Sequence, residues 1–303
     1  MSEPARRPTI LVVGSSGFLG SHLAARMSRS HEVFCASRHR PSQGGCGHWV
    51  CYDAVRPETI DNLPARVDVV YYMAMSPHYR AFPAHAKDVW DVNVQGLFSL
   101  LEYARASQAL CFVLASSGSV YQTGPGPVSE DSPLAIGSGC DFYASSKIAA
   151  EALLNAYAPY FHIGCLRFFY PYGHGLSAAM LFRRMMHNIG EDLPIVLDGQ
   201  DGFQSNPVYL DDAIDACVAA AGLEGFHTIN VAGPETVSLG RICRIISDLL
   251  GKPTAPRFQY RGEERTTVTR IDRMCELLGA PKTGILDGLR QFVDAYRTQG
   301  ADR

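Results

Sequence analysis

The stretch Thr9-Ile-Leu-Val-Val-Gly14-Ser-Ser-Gly17-Phe-Leu-Gly20 decides the fold of this chain. An apolar run over Thr9–Val13 passes directly into three glycines and then into a helical pattern over Ser21–Arg29. Glycines permit a tight turn there and let a pyrophosphate approach backbone N–H groups at the positive end of the helix. The order of strand, loop and helix predicts dinucleotide binding, although two residues separate the first two glycines where the dinucleotide fingerprint has one.

Short apolar strands alternate with helical patterns through the rest of the first half. A helical spacing of apolar residues over Asp88–Ala106 separates the last two predicted strands. The strands after the first are predicted at Glu32–Ala36, Val67–Ala74 and Cys111–Ser116. This alternation predicts an α/β fold, with a doubly wound parallel sheet of the Rossmann type buried on both faces.

After Gly173 the pattern becomes less regular, and Pro, Gly and charged residues become frequent. Helices are predicted at Ser177–Asn188, Asp211–Ala221, Leu239–Leu250, Ile271–Leu278 and Gly284–Tyr296. We expect residues 1–173 to form a dinucleotide-binding domain, with segments around 205–232 returning to it. Residues 174–303 are expected to form mainly a smaller, substrate-binding lobe.

Composition excludes several classes of protein. The 303 residues are 47% hydrophobic and 19% charged, which is typical of a globular protein with a core. A net charge of −3 argues against a nucleic-acid partner. The nine cysteines form no Cys-x-x-Cys pair, which favours a reducing compartment. Without a signal-like segment or a run of about 18 apolar residues, we expect no membrane partner and a cytoplasmic location.

The end of the second predicted strand bears on the choice of dinucleotide. An NAD-binding fold usually places an acidic residue here to hold the ribose 2′-hydroxyl, whereas an Arg suits a 2′-phosphate. This chain has Ser37 and Arg38 instead of the acid. We therefore expect NADP, with NAD as the alternative, and we expect Asp53 to accept a hydrogen bond from the adenine amino group.

Two motifs further along the chain predict acid–base chemistry. Tyr143 and Lys147 are four residues apart, so they share one face of a helix that runs to about Tyr157. A nearby ammonium is expected to lower the pKa of the phenol and to make proton exchange with a hydroxyl feasible. Ser117 lies upstream, at the carboxyl end of a predicted strand, where open α/β sheets bind ligands.

Related motifs occur along nearly the whole chain. They are Asp68-Val-Val-Tyr-Tyr-Met-Ala74, Asn93-Val-Gln-Gly96, Ser116-Ser-Gly-Ser-Val-Tyr121, Leu166-Arg-Phe-Phe-Tyr-Pro-Tyr172-Gly173, Val208-Tyr-Leu-Asp-Asp212 and Asn230-Val-Ala-Gly233. With the glycine loop and the Tyr-x-x-x-Lys spacing, the chain resembles the extended short-chain dehydrogenases/reductases of the NAD-dependent epimerase/dehydratase family. That family includes sugar-nucleotide epimerases.

The resemblance implies roles for individual residues. Ser117 would hydrogen-bond the reacting oxygen, Tyr143 would exchange its proton, and Lys147 would hold the nicotinamide ribose. The predicted substrate contacts are Ser117, Ser119, Tyr143 and Tyr170. The predicted cofactor contacts are Gly14, Ser16, Gly17, Phe18, Leu19, Gly20, Ser37, Arg38, Asp53, Ala54, Met73, Ala74, Asn93, Lys147 and Phe169.

The same resemblance implies an NAD(P)-dependent epimerase that acts on a nucleotide sugar through transient hydride transfer. An NADPH-dependent keto-sugar reductase is the alternative, since it uses the same three residues. A non-catalytic NADPH-sensing regulator is a further alternative, although it would not need the Tyr143–Lys147 pair. A homodimer is expected through the helices that carry Asn93 and Tyr143.

The chain departs from the family at several positions. Gly118-Ser119 stands where the dehydratases carry Asp-Glu, so dehydration is not expected. Tyr170 replaces a common Asn, and the segment 204–207 lacks the Arg that commonly grips the nucleotide diphosphate. The Cys46-Gly-His48-Trp-Val-Cys51 segment lacks a fourth ligand of suitable spacing, so no metal site is expected.

Overall fold

The computed structural model describes residues 7–40, 47–122, 124, 126–137, 140–252, 258–261 and 266–300. The strands are β1 (Thr9–Val13), β2 (Glu32–Ser37), β3 (His48–Cys51), β4 (Val69–Tyr72), β5 (Cys111–Ser117), β6 (His162–Phe168), β7 (Ile195–Asp198), β8 (Gln204–Ser205), β9 (Phe226–Val231), β10 (Val237–Ser238), β11 (Phe258–Arg261) and β12 (Thr266–Thr267). The helices are α1 (Phe18–Met27), α2 (Ala86–Trp90), α3 (Gly96–Ala106), α4 (Phe142–Tyr157), α5 (Leu181–Gly190), α6 (Leu210–Ala220), α7 (Leu239–Leu250), α8 (Asp272–Leu277) and α9 (Ile285–Gly300).

Seven strands form one parallel sheet in the order β3-β2-β1-β4-β5-β6-β9. β1 pairs with β2 on one side and with β4 on the other, so the strand order reverses direction next to β1. In open α/β sheets, ligands bind outside the carboxyl ends of the strands at such a reversal. The predicted doubly wound α/β fold is confirmed.

The sheet is buried because its strands are almost continuously apolar. Every residue of β1 is buried, and Tyr71 and Tyr72 of β4 have no exposed surface. The core also contains Leu97, Leu100 and Leu101 of α3, at the three- and four-residue spacing of a helix face. Apolar burial of this extent is the main favourable term in folding, and it fixes where each strand ends.

The chain divides into two compact units. The first consists of residues 1–122, 133–167 and 214–229, and the second of residues 123–132, 168–213 and 230–303. The units change over after Arg167, and residues 214–229 return to the first unit. The dinucleotide-binding domain over 1–173, with its return around 205–232, and the substrate-binding lobe over 174–303 stay predictions. The second unit contains a three-stranded sheet, β10-β8-β12, and the β11-β7 pair.

Two helices differ from the sequence prediction. The helix predicted over Asp88–Ala106 consists of α2, a π-helical turn over Asp91–Gln95, and α3. The apolar residues on either side of this turn keep the spacing of a helix. A periodicity of 3.6 residues in the sequence therefore does not reveal the turn. The helix predicted from Ser177 begins at Leu181. In the described residues, no helix combines the length and the apolar character that a membrane crossing requires.

Candidate active site

The glycine loop between β1 and α1 has a conformation that other residues could not adopt. Gly14 has φ +83°, and a Cβ built on it would lie 2.6 Å from the backbone nitrogen of Ala74. A Cβ on Gly20 would collide with the carbonyl oxygen of Gly14. The first and third glycines are therefore required by backbone approach, and not only by turn geometry.

The loop leaves the N-terminus of α1 accessible. Ser16 and Gly17 are exposed, and Phe18 and Leu19 are half-buried. Among the described residues, the first turn of α1 holds no acidic side chain, and its N-cap position makes no side-chain hydrogen bond. Because the N–H groups of this turn carry partial positive charge, the loop fits the pyrophosphate of a dinucleotide.

At the end of β2, the Arg38 side chain is exposed, whereas the neighbouring Ser37 hydroxyl is buried. Ser37 is buried, and its hydroxyl donates a hydrogen bond to the carbonyl oxygen of His39 at 2.9 Å. The same hydroxyl accepts a hydrogen bond from Trp49 Nε1 at 3.2 Å. A serine has one hydrogen to donate, so Ser37 has none left for a phosphate. Arg38 is exposed.

The residues predicted to lie near the adenine and nicotinamide follow β3 and β4. Asp53 is half-buried, and its carboxylate accepts a hydrogen bond from the Val55 N–H at 3.2 Å. Ala54 lies beside it, half-buried. Met73 and Ala74 directly follow β4 and are also half-buried. All four therefore lie at the carboxyl edge of the sheet, where a dinucleotide is expected.

Ser117 ends β5 with a hydroxyl that is arranged to donate. Its oxygen accepts hydrogen bonds from the Ser119 N–H at 3.2 Å and from the Ser119 hydroxyl at 3.0 Å. A hydroxyl has two acceptor positions and one hydrogen. With both acceptor positions filled, the Ser117 hydrogen is left to point outward, and Ser117 is hydrogen-bonded to the Tyr143 side chain. In the structure Ser119 orients Ser117, and its contact with the substrate stays a prediction.

The pKa of the Tyr143 phenol is raised above its ordinary value in this structure. Burial raises the pKa of Tyr143 to about 12, and the hydrogen bond with Ser117 acts in the opposite direction. Lys147 Nζ lies 6.0 Å from the centroid of the Tyr143 ring and donates a hydrogen bond to the Ala115 carbonyl oxygen at 2.8 Å. Burial outweighs the lowering influence of Ser117 and Arg80 on this pKa. The lowering by Lys147 that the sequence suggests stays a prediction.

Lys147 is itself strongly affected by its surroundings. Its side chain is buried, and burial lowers the pKa of Lys147 to about 8, against the opposing influence of Cys165 and Glu151. An ammonium with so low a pKa changes its charge near neutral pH, which is characteristic of functional lysines.

Two residues beside Tyr143 are absent from the sequence prediction. The Tyr79 ring lies 5.0 Å from the Tyr143 ring, and the Arg80 guanidinium lies 5.1 Å from the Tyr79 ring centroid. Arg80 lowers the pKa of Tyr143, although burial outweighs it. In the sequence, these two residues are only a Tyr-Arg pair in the loop after β4. The sequence does not indicate that this loop lies beside α4.

Asn93 connects the π-helical turn to α4. Its side-chain nitrogen donates a hydrogen bond to Ser146 Oγ at 2.9 Å, and that hydroxyl donates to the Tyr143 carbonyl oxygen at 2.7 Å. Within the part of the chain that is described, the buried Asn93 side-chain oxygen has no hydrogen-bond partner. An unsatisfied buried acceptor is costly, so this oxygen fits a bound donor such as a cofactor hydroxyl or a water.

The remaining predicted residues belong to the second unit. Phe169 is buried. Tyr170 has φ +44°, a strained value for a residue other than glycine, and its ring stacks on Phe203 with centroids 5.0 Å apart. Asn206, in the segment that lacks an Arg, is committed to the fold because its side chain exchanges hydrogen bonds with the Thr269 backbone at 2.9 and 3.0 Å.

The segment with cysteine and histidine before and within β3 shows no sign of a metal centre in its described part. Cys46 lies outside the described residues. His48 Nε2 lies 3.8 Å from a Glu32 carboxylate oxygen. Among the described residues, no group of three or more His, Cys, Asp or Glu side chains could hold a metal ion.

Comparisons with known proteins agree with this geometry. Residues 10–232 match the NAD dependent epimerase/dehydratase family. The chain is 29% identical to an uncharacterized UDP-glucose epimerase, YtcB, of Bacillus subtilis, over 94% of this chain and 96% of that protein. It is 28% identical to the UDP-glucose 4-epimerase of Mycolicibacterium smegmatis, over 95% of this chain and 98% of that protein.

A solved structure with a similar fold is a variant of the UDP-glucuronic acid 4-epimerase of Bacillus cereus. That protein is in complex with UDP-4-deoxy-4-fluoro-glucuronic acid and NAD. The two chains superpose with a TM-score of 0.85 and are 25% identical, over 96% of this chain and 99% of the other.

Proposed function

This chain belongs to the NAD-dependent epimerase/dehydratase family, and from that premise we propose that it is an NAD-dependent 4-epimerase of a UDP-sugar. The observation that carries the proposal is the assembly of Ser117, Tyr143 and Lys147 at the carboxyl end of β5, in the unit that also holds the glycine loop. Relatives that cover most of this chain are UDP-sugar epimerases.

In the proposed reaction, the phenolate form of Tyr143 would accept the proton of the substrate C4 hydroxyl while the hydrogen on C4 leaves as hydride. A bound nicotinamide dinucleotide would supply the reversible hydride acceptor. Ser117 donates its hydrogen to the C4 oxygen, which stabilises that oxygen as the carbonyl forms and as it is reduced. The C4 ketone rotates between the two transfers, so hydride returns to the opposite face and Tyr143 returns the proton.

The charge state of Lys147 fits a role beside the cofactor ribose. With a pKa of about 8, the amine is mostly protonated at neutral pH and can donate to hydroxyl oxygens. A positive charge that came close to Tyr143 during the reaction would favour its phenolate form. The residues of this chain alone do not favour that form. The residues that would hold the dinucleotide are the exposed loop at Ser16 and Gly17, Asn93 and Lys147.

We propose NAD as the dinucleotide, in place of the NADP expected from the sequence. The similar solved structure holds NAD, and Ser37 has no hydrogen to offer a 2′-phosphate. Arg38 is the cation beside that position in the sequence. The test is to denature the purified protein and to identify any released dinucleotide, and then to titrate the emptied protein with both. NADP binding that is tighter than NAD binding, and that weakens in Arg38→Gln, would restore the first expectation.

The function is tested with UDP-glucose and UDP-glucuronic acid. A 4-epimerase interconverts one of these substrates with its C4 epimer and produces no net change in the absorbance of reduced nicotinamide. Stoichiometric consumption of NADPH with a 4-keto sugar nucleotide would instead identify a reductase. Cofactor binding without turnover of any sugar nucleotide, together with unchanged cellular function of Tyr143→Phe, would identify a sensing regulator.

We also propose that two copies pair through α3 and α4. Trp90 and Phe98 are large hydrophobic residues that are exposed on the segments leading into and forming α3. A contiguous exposed apolar patch marks a surface that a partner can cover, and these two side chains would contribute to such a patch. A dimer by light scattering at micromolar concentration, converted to a monomer by Phe98→Glu, is the expected result, and a wild-type monomer would refute it.

A further inference from the structure

A buried ion pair lies directly behind the catalytic residues. The Glu151 carboxylate on α4 receives hydrogen bonds from Arg167 Nε at 3.0 and 3.2 Å and from a terminal Arg167 nitrogen at 2.6 Å. The Ser116 hydroxyl also donates to Glu151, and Arg167 donates to the Tyr121 hydroxyl at 2.8 Å. All four residues are buried. Every member of this network has a charged or hydrogen-bonded partner.

The network is joined to the catalytic residues on both sides. On α4, Glu151 lies one turn after Lys147, on the same helix face. On β5, Ser116 stands between Ala115, whose carbonyl oxygen accepts the Lys147 hydrogen bond, and Ser117. Through its hydrogen bond with Ser116, Glu151 therefore holds β5 between the Ala115 carbonyl group that Lys147 contacts and the catalytic Ser117.

The carboxylate also bears on the charge of Lys147. Four titratable groups face this amine or its immediate surroundings: Tyr143 and Glu151 on its own helix, and Cys165 and Arg167 on β6. Burial lowers the pKa of Lys147, and Cys165 and Glu151 raise it. The Glu151 carboxylate, one helical turn away, counteracts the desolvation of the ammonium.

A buried ion pair is weak support for stability, because desolvation of both charges offsets their attraction. We propose that the Glu151–Arg167 pair is a positioning device, which sets the register of Ser117 against α4, and that its Glu151 carboxylate favours the charged form of Lys147. This inference rests on the proposed function, since Ser117 and Lys147 are the catalytic residues of that proposal. Neither Glu151 nor Arg167 contacts the reacting atoms in it.

The charge part of the proposal is tested without any substrate. The chain contains four lysines, at positions 87, 147, 252 and 282, so ¹³C-lysine NMR gives few signals. Lys147→Met identifies the signal of interest. We expect Glu151→Gln to lower the titration midpoint of Lys147 by about 1 pH unit, and Arg167→Met to raise it, because that variant leaves the anion unpaired. General loss of structure would move both variants in the same direction, and no shift in either would contradict the proposal.

The positioning part is tested by kinetics. A single variant leaves one charge buried without a partner and can fail to fold, so the double variant Glu151→Gln/Arg167→Met removes both charges. We expect this variant to fold, to bind dinucleotide as the wild type does, and to have an unchanged KM with kcat lowered roughly 10- to 100-fold. Glu151→Asp, which keeps the charge, is expected to retain more activity and an unshifted alkaline limb of the pH–rate profile.

The matched control is Glu102→Gln, which removes a carboxylate from an exposed pair with Arg105. It is expected to leave kcat unchanged. A folded double variant with wild-type kcat would overturn the positioning role. If the wild type turns over no UDP-sugar, the proposed function fails, and the NMR titration still decides the effect of Glu151 on Lys147. If the wild type is active, and the variants change neither the titration midpoint of Lys147 nor kcat, only this inference fails.

Discussion

The glycine loop after β1 and the catalytic face formed by β5 and α4 lie in the same compact unit but are built from different parts of the chain. The loop is made of backbone: Gly14 and Gly20 are there because no other residue leaves room for the neighbouring carbonyl and amide groups. The catalytic face is made of side chains, and its properties depend on burial and on partners brought from distant positions. The two regions therefore respond differently to substitution.

Backbone geometry is specified locally, whereas charge states are not. The order of a strand, a glycine loop and a helix is enough to predict a phosphate-binding turn. By contrast, the pKa of Tyr143 is raised to about 12 by burial, and the pKa of Lys147 is lowered to about 8 by the same cause. Neither shift can be obtained from a four-residue spacing.

The largest effect is expected at the catalytic face. Tyr143→Phe removes the proton donor and acceptor while keeping the ring that packs against Tyr79. We expect kcat to fall about 10²- to 10⁴-fold, with dinucleotide binding retained. Steady-state epimerisation and a fluorescence titration measure the two quantities. Equal loss of binding and turnover would mean that Tyr143 supports the cofactor rather than the reaction.

The glycine loop is expected to show the reverse pattern. Gly20→Ala places a methyl group against the Gly14 carbonyl oxygen, and overpacking of this kind costs about 1–3 kcal/mol. We expect dinucleotide affinity to fall about tenfold or more, with the residual bound fraction still active. Gly190→Ala is the matched control, since among the described residues no atom outside its own helical segment lies within 4 Å of the added methyl group. Equal affinities in the two variants would refute the requirement for close approach.

Lys147 is expected to destabilise the fold at neutral pH. Its folded pKa of about 8 lies below the ordinary value of 10.5, so the folded state prefers the neutral amine. The burial penalty is complete below pH 8, declines as the pH rises, and is absent above 10.5. At pH 7 it is about 3 kcal/mol, less about 1 kcal/mol for the hydrogen bond that a substitution removes.

Lys147→Met should therefore abolish turnover but raise the free energy of unfolding at pH 7 by about 2 kcal/mol. Denaturant unfolding at pH 7 and at pH 10 measures this difference. The gain should shrink at the higher pH. A variant that is less stable than the wild type at both pH values would show that the contacts of the Lys147 ammonium offset its burial penalty.

The smallest effect is expected at Ser119. Ser119→Ala removes the hydroxyl that donates to Ser117 but keeps the backbone N–H that also donates there. One acceptor position of Ser117 becomes free, so its hydrogen is less strictly directed. We expect kcat to fall several-fold, at the lower end of the roughly 0.5–1.5 kcal/mol of a hydrogen bond, with KM unchanged. A large rise in KM would instead support direct contact of Ser119 with the substrate.

The sequence predicts the parts of this molecule that depend on neighbours along the chain. The bounds of β1 and α7 agree with the prediction, because continuous apolar runs and helical spacing are local. The π-helical turn that carries Asn93 cannot be foreseen in this way, since the Asn93 side chain bonds to Ser146 on α4, a residue distant in the sequence. Glu151 has a signal, a carboxylate four residues after Lys147, but its partner Arg167 is joined to it only by the fold.

Reversible hydride transfer at C4 of one UDP-sugar, supported by Tyr143 and Ser117, can be followed with an isotope. UDP-glucose that carries deuterium at C4 is incubated with the holoenzyme in ordinary water, and both epimers are analysed by NMR. The account predicts that deuterium stays at C4 in substrate and product alike, because the hydride returns to the molecule it left. Replacement of that deuterium by solvent hydrogen, with epimerisation proceeding, would contradict it.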